Sequence, residues 1–206
     1  MYTRLNKTTQ PIRSYTDRDK ISNYLLSRNI RDYALFVLGI YTGRRISDLV
    51  RLNVSDVAYI DKRGRFSIRN RLEIQERKTS KFADIILHPA ARRALSKYLR
   101  RRRKGATWIR LLDEPLFRSR RPRHNQEYRI TERHAWFILK NAALACGINY
   151  KVGTHTLRKT FGYMLYKNGT SIEIIQRLLN HSSPLITLAY IGITRDDTDE
   201  AILSID

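Results

Sequence analysis

The sequence predicts a mainly helical fold with a small antiparallel β-sheet, an α+β arrangement. Apolar residues recur with helical spacing through most of the chain, and only a short middle region alternates apolar and polar residues as strands do. A hydrophobic fraction of 42% in 206 residues supports one packed core. Because the chain has no internal repeat or low-complexity linker, we expect a basic N-terminal arm (1–13), one domain (14–193) and an acidic tail (194–206).

The first third of the chain carries three helical patterns, over residues 16–28, 30–41 and 45–52. Thr16 with Asp19 has the spacing of an N-cap and its acidic partner, which marks the start of the first helix. The second pattern is strongly apolar, which predicts a central place in the core, and Gly43 is its expected end.

Strand-like alternation follows at residues 66–68, 72–75 and 83–87. The stretch from Lys78 to Lys81 lies between the second and third of these segments, where a hairpin turn is expected. These short neighbouring strands predict the antiparallel sheet.

Helical patterns return over residues 89–104, 131–146, 155–167, 170–179 and 184–190. Thr154 is the expected cap of the helix that starts at His155, and Thr170 with Glu173 has capping-box spacing. An arginine-rich loop, residues 113–127, separates the first two of these helices. The last third of the chain, up to the acidic tail, is therefore predicted to be helical.

The charge composition indicates a polyanionic partner. The 40 Lys and Arg against 19 Asp and Glu give a formal net charge of +21, far more than solubility requires, so nucleic acid is the leading candidate. The richest apolar segment, residues 33–41, is too short to span a membrane, and we expect no membrane partner. A polar opening from Met1 to Gln10 is unlike a signal peptide, and Cys146 as the single cysteine excludes an intrachain disulfide. Both features favour the cytoplasm.

Several sequence features occur in the order found in one enzyme family, although any one of them alone is weak. They are Gly43-Arg44-Arg45-Ile46-Ser47-Asp48, the hairpin lysine Lys78, His155-Thr156-Leu157-Arg158, His181 before two serines, and Tyr190. Together they resemble the catalytic domain of the tyrosine recombinases, the lambda-type phage integrase family, over about residues 14–193. The resemblance implies that family's catalytic-domain fold and site-specific DNA recombination, in a short form like the fimbrial-switch invertases.

The resemblance gives each of these residues a role that its chemistry can perform. Arg45 and Arg158 offer fixed positive charge to the two non-bridging oxygens of a phosphodiester. Tyr190 is the expected nucleophile, and because a phenol has an ordinary pKa of about 10 it needs a base, for which His155 is expected. His181 is expected to hydrogen-bond the scissile phosphate.

Two further roles complete the expected site. Lys78 is expected to protonate the leaving 5′ oxygen, and resemblance rather than spacing selects it over Lys81. Asp48 follows Arg45 by one helical turn and is expected to orient the site as a supporting acceptor. Structural alternatives stay open: ordinary ion pairs for the basic residues, satisfied buried histidines, and Tyr190 as a core aromatic on an amphipathic helix.

Basic residues outside these roles are predicted to contact DNA phosphates, with solvated surface charge as the alternative for any one of them. They are Arg44, Arg100, Arg101, Arg102, Arg103, Lys104, Arg118, Arg120, Arg121, Arg123 and Lys159. If about eight such contacts form, the logarithm of the affinity should fall with the logarithm of the salt concentration at a slope of about −7.

The implied product is a 3′-phosphotyrosyl ester with a free 5′ hydroxyl, which keeps the bond energy for rejoining. No cofactor, ATP or metal is therefore expected, and the histidines show no paired-ligand spacing. The resemblance implies a monomer when free and a homotetramer on double-stranded DNA, with accessory directionality or bending proteins. It also allows Tyr190 to lie away from the site until DNA binds.

Two alternative functions share part of this evidence. A type IB-like topoisomerase would use the same chemistry to relax supercoils, and a DNA-binding regulator would keep the basic surface without the reaction. Apolar residues in the acidic tail suit exchange between protomers, which favours recombination, and the complete set of catalytic residue types argues against a silent regulator. Because only residues 1–13 precede the catalytic pattern, the chain is expected to be a natural short form or an excised catalytic domain.

Overall fold

The structure, a computed structural model, describes residues 8–103, 107–119, 128–193, 197, 199 and 202–205. The elements in this part of the chain are α1 (Tyr15–Arg28), α2 (Ile30–Thr42), α3 (Ile46–Leu49), α4 (Val54–Val57), β1 (Ala58–Ile60), β2 (Phe66–Ile68), β3 (Arg71–Gln75), β4 (Phe82–Ile86), α5 (Pro89–Arg103), α6 (Trp108–Leu112), α7 (Glu132–Ala145), α8 (Thr154–Lys167), α9 (Ile172–Leu178) and α10 (Pro184–Ile191). The predicted mainly helical α+β class is confirmed. Among the described residues, no helix combines the length and apolar character needed to cross a bilayer.

The first two helices are fixed by polar caps. Ser14, rather than the predicted Thr16, caps α1, and its hydroxyl accepts from the Thr16 backbone N–H at 3.1 Å. Asn29 ends α1 and caps α2, where its side chain accepts from the Arg31 N–H. Gly43 ends α2 as predicted, in the left-handed region with a φ of 62°, a conformation that glycine adopts without strain.

The middle region differs from the prediction in two ways. The helix predicted over residues 45–52 is reduced to α3, and the chain then forms α4 and β1, which the sequence patterns miss. The strands form two separate antiparallel pairs, β1 with β2 and β3 with β4, rather than one sheet. In the second pair Arg71 lies opposite Ile86 and Gln75 opposite Phe82, so the predicted turn lies between β3 and β4.

Two of the later helices begin at positions other than those predicted. Gly153, not Thr154, precedes α8, and its backbone N–H donates to the Thr156 hydroxyl at 3.0 Å. The helix α9 follows Ser171 rather than Thr170, so the expected capping box does not form. These differences shift the helix starts by one residue and leave the order of elements unchanged.

The core places α2 at its centre, packed against α1, α5 and α8. The helices α2 and α8 approach closely because Gly39 has no side chain, and a Cβ atom there would overlap Leu157. This contact brings the end of α2 next to the first turns of α8. A second, smaller core joins α8, α9 and α10 and consists of Tyr163, Ile175, Leu179 and Ile191.

Part of the predicted N-terminal arm belongs to the folded body. Ile12 is fully buried, and its backbone N–H donates to the Thr160 hydroxyl at 2.8 Å. Arg13 donates to the Gly192 carbonyl and pairs with Asp197 at 3.0 Å. Residues 8–13 therefore fasten α8 to the end of α10, while residues 1–7 lie outside the described part of the chain.

Candidate active site

The contact between α2 and α8 brings Arg45 and Arg158 to the same place. Arg45 is the N-cap of α3, two residues after the turn at Gly43. Arg158 lies in α8 with 2% of its surface exposed. Its Nη1 donates to the Gly43 carbonyl at 2.7 Å, and its Nη2 donates to the Leu179 carbonyl. The Arg158 guanidinium is thereby fixed against the turn that leads into Arg45.

Tyr190 lies on α10, and its hydroxyl reaches the same cluster. The hydroxyl oxygen is 3.4 Å from Nδ1 of His155, near the start of α8. The His181 ring packs edge-on against the Tyr190 ring, with 4.8 Å between the centroids. The Lys159 ammonium lies 5.3 Å from the centroid of the same tyrosine ring. This structure therefore has Tyr190 inside the cluster rather than away from it.

Burial and positive charge set the pKa values in the cluster. Burial raises the pKa of Tyr190 above its ordinary value, and the charges of Arg158 and Arg45 reduce that rise without cancelling it. Burial, and then the same two arginines, lower the pKa of His181 to about 4. Burial is also the largest cause of a lowered pKa at His155, and neighbouring cations act in the same direction. Both imidazoles are therefore neutral near pH 7.

Lys78 lies on the exposed turn between β3 and β4. The turn is closed by backbone bonds from Glu76 N–H to the Lys81 carbonyl at 2.9 Å and from Ser80 N–H to the Glu76 carbonyl at 2.8 Å. Burial is the main cause of the lowered pKa of His155, and the Lys78 charge is among the smaller causes. The turn lies beside the cluster, because Glu76 at its base accepts from Arg45 at 2.7 Å, and the acid role of Lys78 stays a prediction.

Asp48 links α3 to the same turn. Its side chain is buried, and Oδ1 accepts from the Arg77 backbone N–H at 3.0 Å. Within the described residues, Oδ2 makes no hydrogen bond. Asp48 therefore supports the residue that precedes Lys78, and its predicted orienting role stays a prediction.

A buried carboxylate that the sequence analysis missed lies beneath the cluster. Glu76 is 1% exposed, and its two oxygens accept from Nη1 of Arg44 and Nη1 of Arg45, each at 2.7 Å. The Thr79 hydroxyl donates to the same carboxylate at 2.8 Å. Burial raises the pKa of Glu76, but hydrogen bonds from Thr79 and Arg45 and the charge of Arg44 outweigh it, so the pKa falls below its ordinary value. Glu76 is therefore ionised.

The predicted DNA contact of Arg44 is wrong in this structure. Its side chain is 1% exposed, because it points inward to pair with Glu76. It also donates to the carbonyls of Thr42 and Leu178. Burial, and then the charge of Arg158, lower the pKa of Arg44 to about 10, which leaves it charged near pH 7.

Strand alternation contained a signal for this buried pair. Leu72 is buried and Ile74 half-buried on one face of β3, so the next residue of that face is Glu76. A carboxylate on a buried face requires a cationic partner. Arg44 is that partner, two residues before the helix that contains Asp48.

Of the other ten predicted DNA contacts, four are exposed, four lie outside the described residues, and Arg102 and Lys159 are half-buried. The exposed arginines are Arg100, Arg101, Arg103 and Arg118. The first three lie at the C-terminal end of α5, which packs mainly on α2 and β2 rather than on the helices that carry the cluster. The predicted contacts that lie outside the described residues are Lys104, Arg120, Arg121 and Arg123.

Arg102 differs from its neighbours in the basic run. It is half-buried, and its Nη1 donates to the carbonyls of Pro115 at 2.6 Å and Leu116 at 2.9 Å. Its Nη2 pairs with the Glu114 carboxylate. These donors hold the segment after α6, and the predicted phosphate contact of Arg102 stays a prediction.

The cluster has the groups needed to stabilise negative charge and to transfer protons. It combines a phenol, two neutral imidazoles, two guanidiniums and the Lys159 ammonium, with a second ammonium, that of Lys78, on the neighbouring turn. In the described part of the chain, no group of three or more His, Cys, Asp or Glu is placed to hold a metal ion. Fixed guanidinium charge suits the crowded, negatively charged phosphorus centre of a phosphodiester under attack. The neutral imidazoles suit proton transfer.

Sequence comparisons identify relatives over nearly the whole chain. The profile of the phage integrase family matches residues 16–196. YoeC, a probable integrase/recombinase of Bacillus subtilis (strain 168), is 40% identical over 192 residues, which are 93% of this chain and 94% of that protein. The tyrosine recombinase XerD of Oceanobacillus iheyensis is 29% identical over 171 residues, which cover 81% of this chain. The chain spans 52% of the length of that XerD.

Solved structures show the same fold at lower identity. The crystal structure of XerA recombinase matches with a TM-score of 0.70 and 24% identity, and covers 98% of this chain and 65% of its own. XerH site-specific recombinase, solved bound to a palindromic difH substrate after cleavage, matches with a TM-score of 0.68 and 16% identity over 99% of this chain and 55% of its own.

Proposed function

This chain belongs to the phage integrase family of tyrosine recombinases, and we propose that it is a site-specific recombinase of double-stranded DNA. It breaks and rejoins strands through a 3′-phosphotyrosyl intermediate, without metal, ATP or cofactor. The observation that carries this proposal is that the Tyr190 hydroxyl lies 3.4 Å from His155 Nδ1, beside the two arginines Arg45 and Arg158.

The attack step needs an oxygen nucleophile and a proton acceptor. The Tyr190 oxygen forms a bond to phosphorus, and its proton passes to Nδ1 of His155. The lowered pKa of His155, caused first by burial, keeps this imidazole neutral and able to accept the proton near pH 7. Because burial raises the pKa of Tyr190, the phenol depends on this base and on the arginine charges.

The pentacoordinate phosphorus carries extra negative charge, which Arg45 and Arg158 stabilise. Each guanidinium has five N–H donors. Arg158 uses two of them on backbone carbonyls, and Arg45 uses one on Glu76. Donors therefore remain on both side chains for the non-bridging oxygens. Since the guanidiniums are held before DNA binds, little reorganisation accompanies the reaction.

His181 adds a neutral hydrogen bond to the phosphate. Its Nδ1 lies 3.2 Å from the Thr187 hydroxyl. The same hydroxyl lies 3.1 Å from the Ser183 carbonyl, to which it can donate instead. The proposed phosphate contact requires the arrangement in which it donates to Nδ1, because the proton of the neutral ring is then on Nε2, which can donate to a phosphate oxygen. Lys78 protonates the 5′ oxygen as it leaves, which breaks the phosphorus–oxygen bond and gives a free 5′ hydroxyl.

The protein partners follow from the same proposal. Strand exchange requires several active sites on two duplexes, so a homotetramer assembles on DNA. The free chain is a monomer before it binds. The tail from residue 194 exchanges between protomers, and accessory bending or directionality proteins set the outcome. The exposed arginines of α5 and Arg118 contribute affinity through phosphate contacts.

Covalent capture tests this function. Nicked suicide duplexes with randomised sequence around the nick are incubated with the protein, and adducts that survive denaturation are recovered. We expect an adduct with the wild-type chain and none with Tyr190→Phe. The matched control is Tyr166→Phe, which changes an exposed tyrosine on α8. Adduct formation by Tyr190→Phe would show that the nucleophile is another residue.

The same recovered duplex separates the alternative functions. A recombinase exchanges strands between two copies of the site, whereas a type IB-like topoisomerase relaxes a supercoiled plasmid that carries a single copy and exchanges nothing. A silent DNA-binding regulator retains the duplex without a covalent adduct. Strand exchange is the expected result.

A further inference from the structure

We propose that Glu76 is a positioning residue for the reaction: its buried carboxylate holds the Arg45 guanidinium and the Lys78 turn in one arrangement. This inference rests on the proposed function. It assigns a role to a side chain outside the catalytic motifs, because Glu76 has 1% of its surface exposed and is shielded from the substrate.

The side-chain contacts of Glu76 join two parts of the site. Arg45 Nη1 donates to Oε2 at 2.7 Å, and the Thr79 hydroxyl donates to the same oxygen at 2.8 Å. Thr79 directly follows Lys78 on the turn. One carboxylate oxygen therefore contacts the residue that neutralises the phosphate and the neighbour of the residue that protonates the leaving group.

The backbone of Glu76 closes the same turn. Its N–H donates to the Lys81 carbonyl at 2.9 Å, and its carbonyl accepts from the Ser80 N–H at 2.8 Å. The Asp48 carboxylate holds the turn from the other side through the Arg77 N–H. A residue bonded through both main chain and side chain at the base of a turn restricts its movement, and misplacement of a reacting group by about 1 Å can cost a factor of about 100 in rate.

Arg44 makes this arrangement compatible with a positive site. A carboxylate paired only with Arg45 would cancel the charge that the phosphate requires. Arg44 Nη1 pairs with the other oxygen, Oε1, at 2.7 Å, so the three groups together keep a net positive charge. Arg44 also donates to the Leu178 carbonyl at the end of α9, and Arg158 donates to the Leu179 carbonyl beside it. The segment that leads to His181 is thus fastened to the same buried pair.

The first test compares Glu76→Gln with wild type on a suicide duplex recovered by covalent capture. Gln keeps the shape but lacks the charge, and its amide N–H₂ must face one of the two guanidiniums. We expect single-turnover cleavage at saturating DNA to fall by about 10- to 100-fold. DNA affinity, measured in a Tyr190→Phe background, should stay within about twofold, because Glu76 does not contact the duplex. The matched control is Glu73→Gln, which changes an exposed carboxylate on the same strand.

A modified substrate tests the link to Lys78. A duplex with sulfur in place of the leaving 5′ oxygen releases a thiolate, which needs no proton because thiols are far more acidic than alcohols. If Glu76 positions the turn, Glu76→Gln should recover part of its lost rate on this duplex, as Lys78→Ala should. Recovery in Lys78→Ala without any recovery in Glu76→Gln would overturn the proposal.

A second variant keeps the test decisive if Glu76→Gln does not fold. Arg44→Met/Glu76→Gln removes both buried charges together, which avoids an unpaired buried guanidinium. We expect this double variant to fold, with a melting temperature lowered because the Thr42 and Leu178 carbonyls lose the Arg44 donors, and to cleave at least about tenfold more slowly, since Arg45 has lost its anionic partner. Cleavage by the folded double variant at the wild-type rate would contradict a positioning role. Absence of an adduct with the wild-type chain would instead refute the proposed function.

Discussion

The two halves of the candidate site differ in their solvent exposure. The half that carries permanent charge is built into the interior: Arg44, Arg158, Asp48 and Glu76 are each at most 6% exposed. The half to which we assign proton transfer lies at the surface, since Lys78 and His155 are exposed and Tyr190 is partly covered. Charged residues are rarely buried unless they are paired. Burying these charged groups costs free energy that their partners must offset, whereas the groups proposed to transfer protons stay accessible at the surface.

This difference separates stability from catalysis. Each guanidinium of the buried half also satisfies backbone carbonyls, at Gly43 and Leu179 for Arg158 and at Thr42 and Leu178 for Arg44. A substitution there should lower both the free energy of unfolding and the cleavage rate. The His155 ring, by contrast, makes one hydrogen bond within the described residues, to the Tyr190 hydroxyl. A substitution there should lower the rate alone.

The largest effect is expected for His155→Asn. Loss of the proton acceptor should slow cleavage of a suicide duplex by about 100- to 10,000-fold. The free energy of unfolding should change by less than about 0.5 kcal/mol, since the ring lies at the surface, is only partly desolvated and makes one long hydrogen bond, at 3.4 Å. Single-turnover kinetics and urea denaturation check the two quantities. A fall in stability as large as that of a buried-half variant would break the comparison.

The next largest effect is expected for Arg158→Lys. An ammonium cannot make the same forked bonds to two carbonyls and a phosphate, so cleavage should slow by about 100- to 1000-fold. Stability should also fall by about 1–3 kcal/mol, because a buried carbonyl of Gly43 or Leu179 loses its partner. Arg63→Lys, an exposed position between β1 and β2, is the matched control. A slow variant with wild-type stability would argue that the buried half is not structural.

A smaller effect is expected from pH through His181. Its pKa falls from 6.5 to about 4 in the folded chain, chiefly through burial, so the unfolded state binds more protons between these values. Stability present above pH 6.5 is therefore lost as the pH falls, by about 1–2 kcal/mol at pH 5 for a partly covered ring. His181→Asn should lose less stability than wild type between pH 7 and pH 5 in urea denaturation. Equal losses in the two proteins would show that other groups cause the acid sensitivity.

The sequence motifs predicted which residues of the two halves lie together. Arg45, His155, Arg158 and Tyr190 lie together as the resemblance implied, because each motif sits next to a helix start or end whose signals are local, such as Gly43. The start of α1 was displaced by two residues, because Ser14 and Thr16 are both residue types that cap helices and Ser14 is the one that does so. Local patterns choose poorly between neighbouring caps of similar strength.

The support beneath the site could not be predicted in the same way. Glu76 and Arg44 are 32 residues apart in sequence, and their pairing depends on how β3 packs against the turn after α2. Arg44 in isolation indicated a phosphate contact because the chain is so basic, and only burial shows that its partner is internal. A single sequence indicates such a long-range ion pair only indirectly. Here the one signal is the strand alternation, which predicts that the side chain of residue 76 points inward.

The smallest effect on cleavage is expected at the tail, which belongs to neither half. Ile202, Leu203 and Ile205 are 65%, 85% and 78% exposed, which suits a contact with another protomer. Deletion from Thr198 onward keeps the Asp197 pair with Arg13 and should leave cleavage of a suicide duplex within about twofold of wild type. Strand exchange between two sites should fall, because exchange needs neighbouring protomers. A deletion that also removes Asp197 separates loss of this ion pair from loss of the apolar contact, and unchanged exchange after the shorter deletion would remove the tail from the assembly.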